Sequence, residues 1–509
     1  MIATQTLTIE VVDSLALLTH KVASNVFDLS SGLHHVSIRD QIVRAQLLVR
    51  DLCRGDPTCK TILIVGAGVA GIAAAMEAQA LGKQAVVLET QQQPFGLFRG
   101  VFSRHVGPFM YEWPSPFHGD QTYPPTASDQ WGATSPQTPS WASAKPLPAN
   151  KLAQQLLQWL NSKAPQFQTG ALSLRVGVSA HAVRTFVKIF AQTQAARSLA
   201  RLRRQAPMPA ASLTVSAWPS WPPHAQAVAN APGAVTPDYV LLAAGMGSEN
   251  VNLLPPSAQT NFRGAAFWAN DTLLTRPPNE NFITAVFGGG DGALQDVLRL
   301  LTAYNHPLEF LAFLEGDAKV KRELENIMPS ILSVDRQSRL YSTWTQQPDA
   351  YAQVDEACRQ IAHKLAKHQG VRLRVGQKLG EDKSQGRGKV LHYVRASCFD
   401  KAYLLNRFLV HLINQCKLHP DESANWRQRY ALHFDRQATA YWPNGKRHEF
   451  HITDHANNDH GKIDADHIVV RYGIEKGSVP GAQMIQISPR QSHQRTTLAR
   501  VELPFIAQT

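Results

Sequence analysis

Cysteine is scarce in this 509-residue chain: Cys53, Cys59, Cys358, Cys398 and Cys416 form an odd, scattered set without one CxxC pair. That excludes a disulfide scaffold and a zinc ribbon, and Cys53 and Cys59 read as inert thiols rather than redox partners. No apolar run approaches the roughly 18 residues that a membrane span requires. The first twenty residues lack the basic start, apolar core and small-residue cleavage site of a secretory leader. A soluble, cytoplasmic protein without a membrane partner is the expectation. Acids are in deficit, 39 against 51 Lys plus Arg, for a net charge of +12. This balance permits weak contact with nucleic acid or an anionic surface and equally suits a solvated surface that holds anionic cofactors; nucleic acid is not an expected partner. With 44% hydrophobic and 18% charged residues the composition is globular, and the length implies two or three domains.

What the chain does have is a contiguous βαβ signal at Thr61–Thr90. Ile62–Val65 is an apolar run short enough to be one buried strand, followed by Gly66-Ala67-Gly68-Val69-Ala70-Gly71. Ala73–Leu81 then reads as a helix stopped by Gly82, and Ala85–Leu88 as a second strand ending in Glu89. The three glycines serve different ends, since Gly66 permits the tight turn, Gly68 lets backbone approach a pyrophosphate, and Gly71 lets helix pack on strand. The helix start, with Ala67 and Ala70 inside the turn, offers free N–H groups and a positive dipole end. Glu89, eighteen residues past Gly71, can accept both hydroxyls of an adenosine ribose and would repel a 2′-phosphate. A dinucleotide site is expected; an empty, purely structural turn is the alternative.

The fingerprint recurs. Phe282–Phe287 reads as a strand, Gly288-Gly289-Gly290-Asp291-Gly292-Ala293 fits GxGxxA, and Leu294, Val297, Leu298 and Leu301 mark the packed face of a helix. Leu308–Leu314 reads as the next strand, with Glu315 at its end, 22 residues beyond Ala293. Gly288, Gly290 and Glu315 thus repeat the logic of the first site, or mark a degenerate structural repeat. Asp291 stands where it would face phosphate, or it caps the helix instead.

Between and around these motifs the signal is thinner. Ser37–Cys53 reads as a leading helix on Ile38, Ile42, Ala45, Val49 and Leu52. Gly96 and Gly100 with Arg99 between them suggest a second turn near the cofactor, the guanidinium serving a phosphate or a surface loop. His105, Tyr111, Glu112, Trp113 and His118 line a substrate pocket or are loop packing; no catalytic residue stands out. Residues 120–150 read as a Pro/Ser/Thr-rich excursion, 198–205 as a solvated basic helix or loop, and Tyr239–Gly247 as a buried strand ending at Gly245. Val371–Val375 reads as a short strand. Leu404 to Ile413 form a broad apolar helical arc, core or an oligomer face. Ala438–Trp442 and His448–Ile452 flank Pro443-Asn444-Gly445-Lys446, and Asn-Gly at this spacing predicts a hairpin. His448, His451, His455, His460 and His467 match no metal-ligand spacing, so a solvated loop is expected there, and Asp466–Gly473 reads as a last strand.

On Gly66, Gly68, Gly71 and Glu89, on YVLLAAGMG with Gly245, and on Gly288, Gly290 and Glu315, the chain resembles the two-dinucleotide-binding-domain flavoproteins, including the flavin monooxygenases. The resemblance implies an α/β protein with a Rossmann-like FAD-binding domain and a second, nested NAD(P)-binding Rossmann-like domain. It divides the chain into an N-terminal helical extension (1–60), an FAD domain with inserted loops (61–255), a nicotinamide-dinucleotide domain whose last strand returns to the FAD domain (256–475), and a tail (476–509). The implied activity is transfer of hydride from NAD(P)H to FAD and onward to oxygen or a small organic acceptor, Glu315 favouring NADH. Two alternatives stay open: a flavin oxidase or monooxygenase with a structural second turn, and a non-catalytic dinucleotide sensor using the Leu404 helix as a partner surface. The missing CxxC disfavours disulfide reduction. Ala244 replaces the family's Thr, Arg471-Tyr472-Gly473 is bulkier than its Ala-Thr-Gly end, and Phe267–Asp271 does not match the monooxygenase motif.

Overall fold

The computed structural model describes residues 20–29, 38–107, 113–114, 139, 145–168, 170–206, 208–222, 233–275, 281–340, 348–380, 388–399, 402–419, 425–475 and 478. Tyr111, Glu112, His118, most of the 120–150 excursion and nearly all of the tail lie outside them.

The first half builds one seven-stranded sheet. In chain order it contains β1 (Lys21–Ala23), β2 (Val26–Asp28), helix α1 (Ile38–Gly55), β3 (Thr61–Val65), α2 (Val69–Ala80) and β4 (Gln84–Leu88). A short pair, β5 (His105–Val106) with β6 (Leu147–Pro148), leads to α3 (Ala149–Ser162), β7 (Leu172–Arg175), α4 (Ala180–Leu202), β8 (Leu213–Thr214), β9 (Ser220–Trp221), β10 (Ala234–Val235) and β11 (Tyr239–Leu242). The sheet order is β1-β2-β11-β3-β4-β7-β9, its five central strands parallel. Strand alternation splits the core in two: Ile62, Ile64, Ala85 and Val87 face α1, α2 and α3, whereas Leu63, Val65, Val86 and Leu88 face α4 and the β8–β10 pair. The expected leading helix is α1; Ile42, Ala45, Val49 and Leu52 are buried on it, and Arg50 reaches buried Glu77 of α2 at 2.6 Å. Residues 198–202 end the long α4, and Arg203 caps it.

The second half contains β12 (Ile283–Phe287), α5 (Asp291–Thr302), α6 (Pro307–Glu315), α7 (Ala318–Leu340), α8 (Pro348–Ala366), α9 (Gln369–Gly380), β13 (Lys389–Val394), α10 (Leu404–Leu418), β14 (Tyr430–Phe434), β15 (Gln437–Asn444), β16 (Arg447–Thr453), β17 (Asp459–Ala465) and β18 (His467–Val470). Four strands, ordered β14-β13-β12-β18, make a second, parallel sheet. Its helices share one face through Val286, Val390, Val394 and Val469. The antiparallel β15-β16-β17 sheet covers the other through Tyr441, Phe450 and Ile452.

Five expectations need correction. Leu308–Leu314 is helix, not strand: Pro307 opens it, the His306 ring accepts from Leu308 N (3.2 Å), and Phe310, Leu311 and Leu314 fall on its buried side. Glu315 therefore ends a helix and borders no strand. Val371–Val375 lies in α9, its Val371, Val375 and Leu379 buried at four-residue spacing. The His-rich stretch is largely strand, with Phe450 and Ile452 turned inward and His451 and His460 paired outward with Asp459 (2.8 Å) and Asp454 (3.2 Å). Among the described residues no group of three or more His, Cys, Asp or Glu is placed to hold a metal. Finally, β18 pairs with β12 and does not return to the first sheet; the parallel neighbour of β11 on its outer side is β2. The hairpin holds, with Asn444 opposite Arg447 across Gly445-Lys446. Helix α10 is core, buried on Leu404, Leu405, Phe408, Leu409, Leu412 and Ile413, which leaves no broad arc for a partner.

Candidate dinucleotide sites at two glycine turns

Both glycine turns leave the carboxyl end of a central parallel strand and enter a helix, where open α/β sheets place their ligands. At the first, Gly66 takes φ +108°; its N–H donates to Leu88 O (2.7 Å) while Ala243 N donates to Val65 O (2.7 Å). A Cβ on Gly66 would overlap the Ala243 carbonyl, and one on Gly71 the Gly66 carbonyl. Those two glycines are demanded by the protein itself. Gly68 is different. A Cβ there would meet nothing within 4 Å, so the open side of the turn is left for something outside the chain. Gly68 is the N-cap of α2 (φ −74°, ψ −176°), no side chain caps the helix, and no acid lies in its first turn. The unfilled N–H groups and cradle fit a pyrophosphate.

Glu89 is at the edge of this cradle, its carboxylate accepting from Ala67 N (2.7 Å) and Gln91 N (2.8 Å). The following segment folds back so that Phe95 N donates to Ala67 O (3.0 Å), which places the Gly96–Phe98 turn beside the site and leaves Arg99 exposed at its end. Gly245, at φ +90°, is exposed just past β11. The first-site residues are thus brought together: Gly66, Ala67, Gly68, Ala70, Gly71 and Glu89 in contact, Arg99 and Gly245 at the rim.

The second turn repeats this backbone. Gly288 takes φ +136°; its N–H donates to Tyr393 O (3.0 Å), and Arg471 N donates to Phe287 O (2.8 Å). The N-cap of α5 is Gly290 (φ −90°, ψ 179°), again with no side-chain cap. Asp291 does not face the turn's ligand side: its Oδ1 accepts from Tyr403 N and Asn406 Nδ2, both at 2.8 Å, tying α5 to the start of α10. Burial raises this carboxyl to about 7, the two hydrogen bonds opposing the rise. From below, buried His392 bonds the Gly288 carbonyl through Nε2 (2.7 Å) and Tyr430 through Nδ1 (3.0 Å); burial lowers its pKa to about 4, so the ring is neutral at ordinary pH. Gly288 and Gly290 are at the site. Glu315 is not.

Sequence reasoning missed a buried charge cluster between the two halves. Arg104, from the loop after β4, forks onto Asp296 of α5 and reaches Asp271 (2.8 Å). Arg299 bonds Asp271 (2.9 Å), Asp296 (3.0 Å) and Ser103 O (2.8 Å), and Arg471 bonds Asp296 from the other side (2.9 Å). The Phe267 ring lies under Arg104, 4.4 Å from its guanidinium carbon. Burial works to raise Asp296, but Arg104, Arg471 and Arg299 hold it well below the usual carboxylate range. Nearby, burial raises Glu249, which accepts from Phe267 N. Arg471 is accordingly buried, its Cδ packed against Gly292 at the start of α5. Its bulk at a strand end was the one visible signal.

Of the candidate pocket residues, Trp113 and His105 are described, and Trp113 is packing. Trp113 is buried and stacks on Phe408 of α10 at 5.5 Å. His105 is half-buried beside Arg299, its pKa lowered by burial and by that charge. Cys53 and Cys59 are free thiols near the amino end of β3, the end of the sheet opposite the turn.

Residues 64–124 match a family model described as an NAD(P)-binding Rossmann-like domain. No curated protein matches the chain. Among solved structures, thioredoxin reductase of Lactococcus lactis is 9% identical with a TM-score of 0.32, over 87% of this chain and 96% of that one. Thioredoxin reductase of T. acidophilum is likewise 9% identical at 0.32, over 82% and 79%. The 6-hydroxypseudooxynicotine amine oxidase of Pseudomonas geniculata is 11% identical at 0.27, over 87% and 41%. These likenesses are too distant to bear on function. The family match begins at the first glycine turn.

Proposed function

We propose that the protein is an FAD-dependent oxidoreductase that takes hydride from NAD(P)H and passes electrons to oxygen or a small organic acceptor. The carrying observation is the recurrence of one turn geometry at the carboxyl edges of two sheets, in each case with an uncapped helix start. In this reading Gly66–Gly71 and the first N–H groups of α2 hold the FAD pyrophosphate, and Glu89 accepts from the adenosine ribose. Arg99 neutralises phosphate charge from the rim. Gly288–Ala293 and the start of α5 hold the nicotinamide dinucleotide. Bound FAD supplies the two-electron chemistry; the protein contributes orientation and electrostatics.

The buried Arg104–Asp296–Arg471 cluster supports one further element: it fixes the second sheet against the loop of the first, so that both turns keep one mutual orientation. A flavin oxidase with a structural second turn is the competing reading, favoured by the packing of Gly289 under Val394, where a Cβ would come within 2.7 Å of a methyl carbon. The test is to denature the purified protein and identify what it releases by mass spectrometry, then to attempt FAD loading. FAD released or taken up supports the reading; no flavin under either condition refutes it.

A further inference from the structure

We infer that the second turn selects the 2′-phosphorylated dinucleotide, NADPH over NADH, with Arg395 as the selecting residue. This deepens the reading of that turn as the NAD(P)H site and rests on it. The two sites can be aligned through their hydrogen bonds. Gly66 N donates to Leu88 O and Gly288 N to Tyr393 O, so Leu88 corresponds to Tyr393. The residue after Leu88 is Glu89, whose carboxylate lies on the turn. The residue after Tyr393 is Val394, an apolar side chain, and then comes Arg395. The feature that would repel a 2′-phosphate at the first site has no counterpart at the second.

What replaces it is cationic. Arg395 is exposed, and among the described residues no carboxylate pairs with it. On the adjoining strand end Arg436 donates its N–H to Val394 O (3.0 Å), and its guanidinium rests on the Phe434 and Asp435 carbonyls (3.4 and 2.8 Å), which puts a second cation on the same edge. The acid between them, Asp435, is engaged elsewhere: its carboxylate accepts from the His455 N–H (3.2 Å) and faces the His455 ring (3.6 Å). Ser397, exposed two residues past Arg395, adds a hydroxyl. A planar guanidinium without a carboxylate partner, beside an adenosine site that lacks the ribose acid, matches a phosphate monoester and gives a plain ribose nothing to distinguish it. Glu315, which the linear spacing had offered as a selector for NADH, is in α6 and exerts no such choice.

The test uses the full chain loaded with FAD, so that the first turn is occupied. Calorimetric titration with adenosine 2′,5′-bisphosphate and with 5′-AMP should show the bisphosphate binding at least about tenfold tighter, and R395A should erase most of that advantage while R395K keeps part of it. In parallel, the ratio of kcat/KM for flavin reduction by NADPH over NADH should exceed one and fall in R395A. Equal binding of the two nucleotides, or an advantage that survives R395A, overturns the inference even if both coenzymes reduce the flavin. Arg395-dependent bisphosphate binding without flavin reduction by either coenzyme upholds the inference about the pocket and refutes hydride donation. Failure of both nucleotides to bind overturns both.

Discussion

The two glycine turns are nearly the same piece of backbone set in opposite surroundings. Behind the first, small residues meet: Ala243 closes on Gly66, and Ala74 occupies the helix position that matches Asp296 of α5. Behind the second, Arg471 takes the place of Ala243, and the seam is a buried ion cluster that also receives Arg104 from the first half. In front, the first turn presents Glu89 and the second Val394-Arg395. In the proposed reading, backbone geometry provides for a diphosphate and the strand end beside it for the choice of ribose, while the residues behind set whether the turn stands alone or joins the two halves.

The largest test of that contrast lies behind the turns. Asp296→Ala leaves three buried guanidiniums short of a shared carboxylate and should cost about 3–5 kcal/mol of stability, read by denaturant unfolding; Ala74→Ser at the matching position of α2 should cost far less. A loss in D296A no greater than in the α2 variant would break the comparison. Next is Gly68→Ala. A Cβ there touches no protein atom, and a glycine-to-alanine change at an N-cap costs under about 1 kcal/mol, so the variant should fold with a nearly unchanged melting temperature and yet lose most of its flavin. Retained flavin would mean that the open side of the turn is not where the pyrophosphate lies.

A pH effect sharpens the contrast further, since only the second helix starts with an acid. The folded-state pKa of Asp291, raised to about 7 by burial, exceeds its value in the unfolded chain, so the folded state binds the extra proton. Its contribution to stability is full below the ordinary carboxylate range and is lost as pH rises through about 7. The melting temperature of D291N relative to the parent should therefore climb between about pH 5 and about pH 8; a flat difference would show that the carboxyl is not buried as described. Smallest is Glu89→Gln, which keeps the amide contact to Ala67 but removes the charge opposite the ribose and should weaken FAD binding by about 1 kcal/mol.

The first site was legible because it is contiguous: strand, turn, helix, strand and acid follow one another within thirty residues, each with its own local signal. The second was legible only as far as α5. Four helices, α6 to α9, separate it from β13, so the linear offset pointed to Glu315 while the spatial neighbour is the end of β13 at Tyr393-Val394. Leu308–Leu314 is apolar enough for either period, and the deciding features were the His306 cap and Pro307 just before it. The ion cluster was invisible because its members run from Arg104 to Arg471, and only folding brings them together. The alternation of Phe450 and Ile452 with His451 encoded the second strand of the hairpin, whereas the next strand, Asp459–Ala465, was masked by the polar residues that a one-sided antiparallel sheet turns to solvent.

The most direct measurement is an anaerobic titration of the FAD-loaded protein with NADPH, followed at the visible flavin absorption band. Two working dinucleotide sites predict that the band bleaches in proportion to added NADPH until one equivalent per flavin is consumed. A band that stays intact in excess NADPH would contradict hydride entry through the second turn.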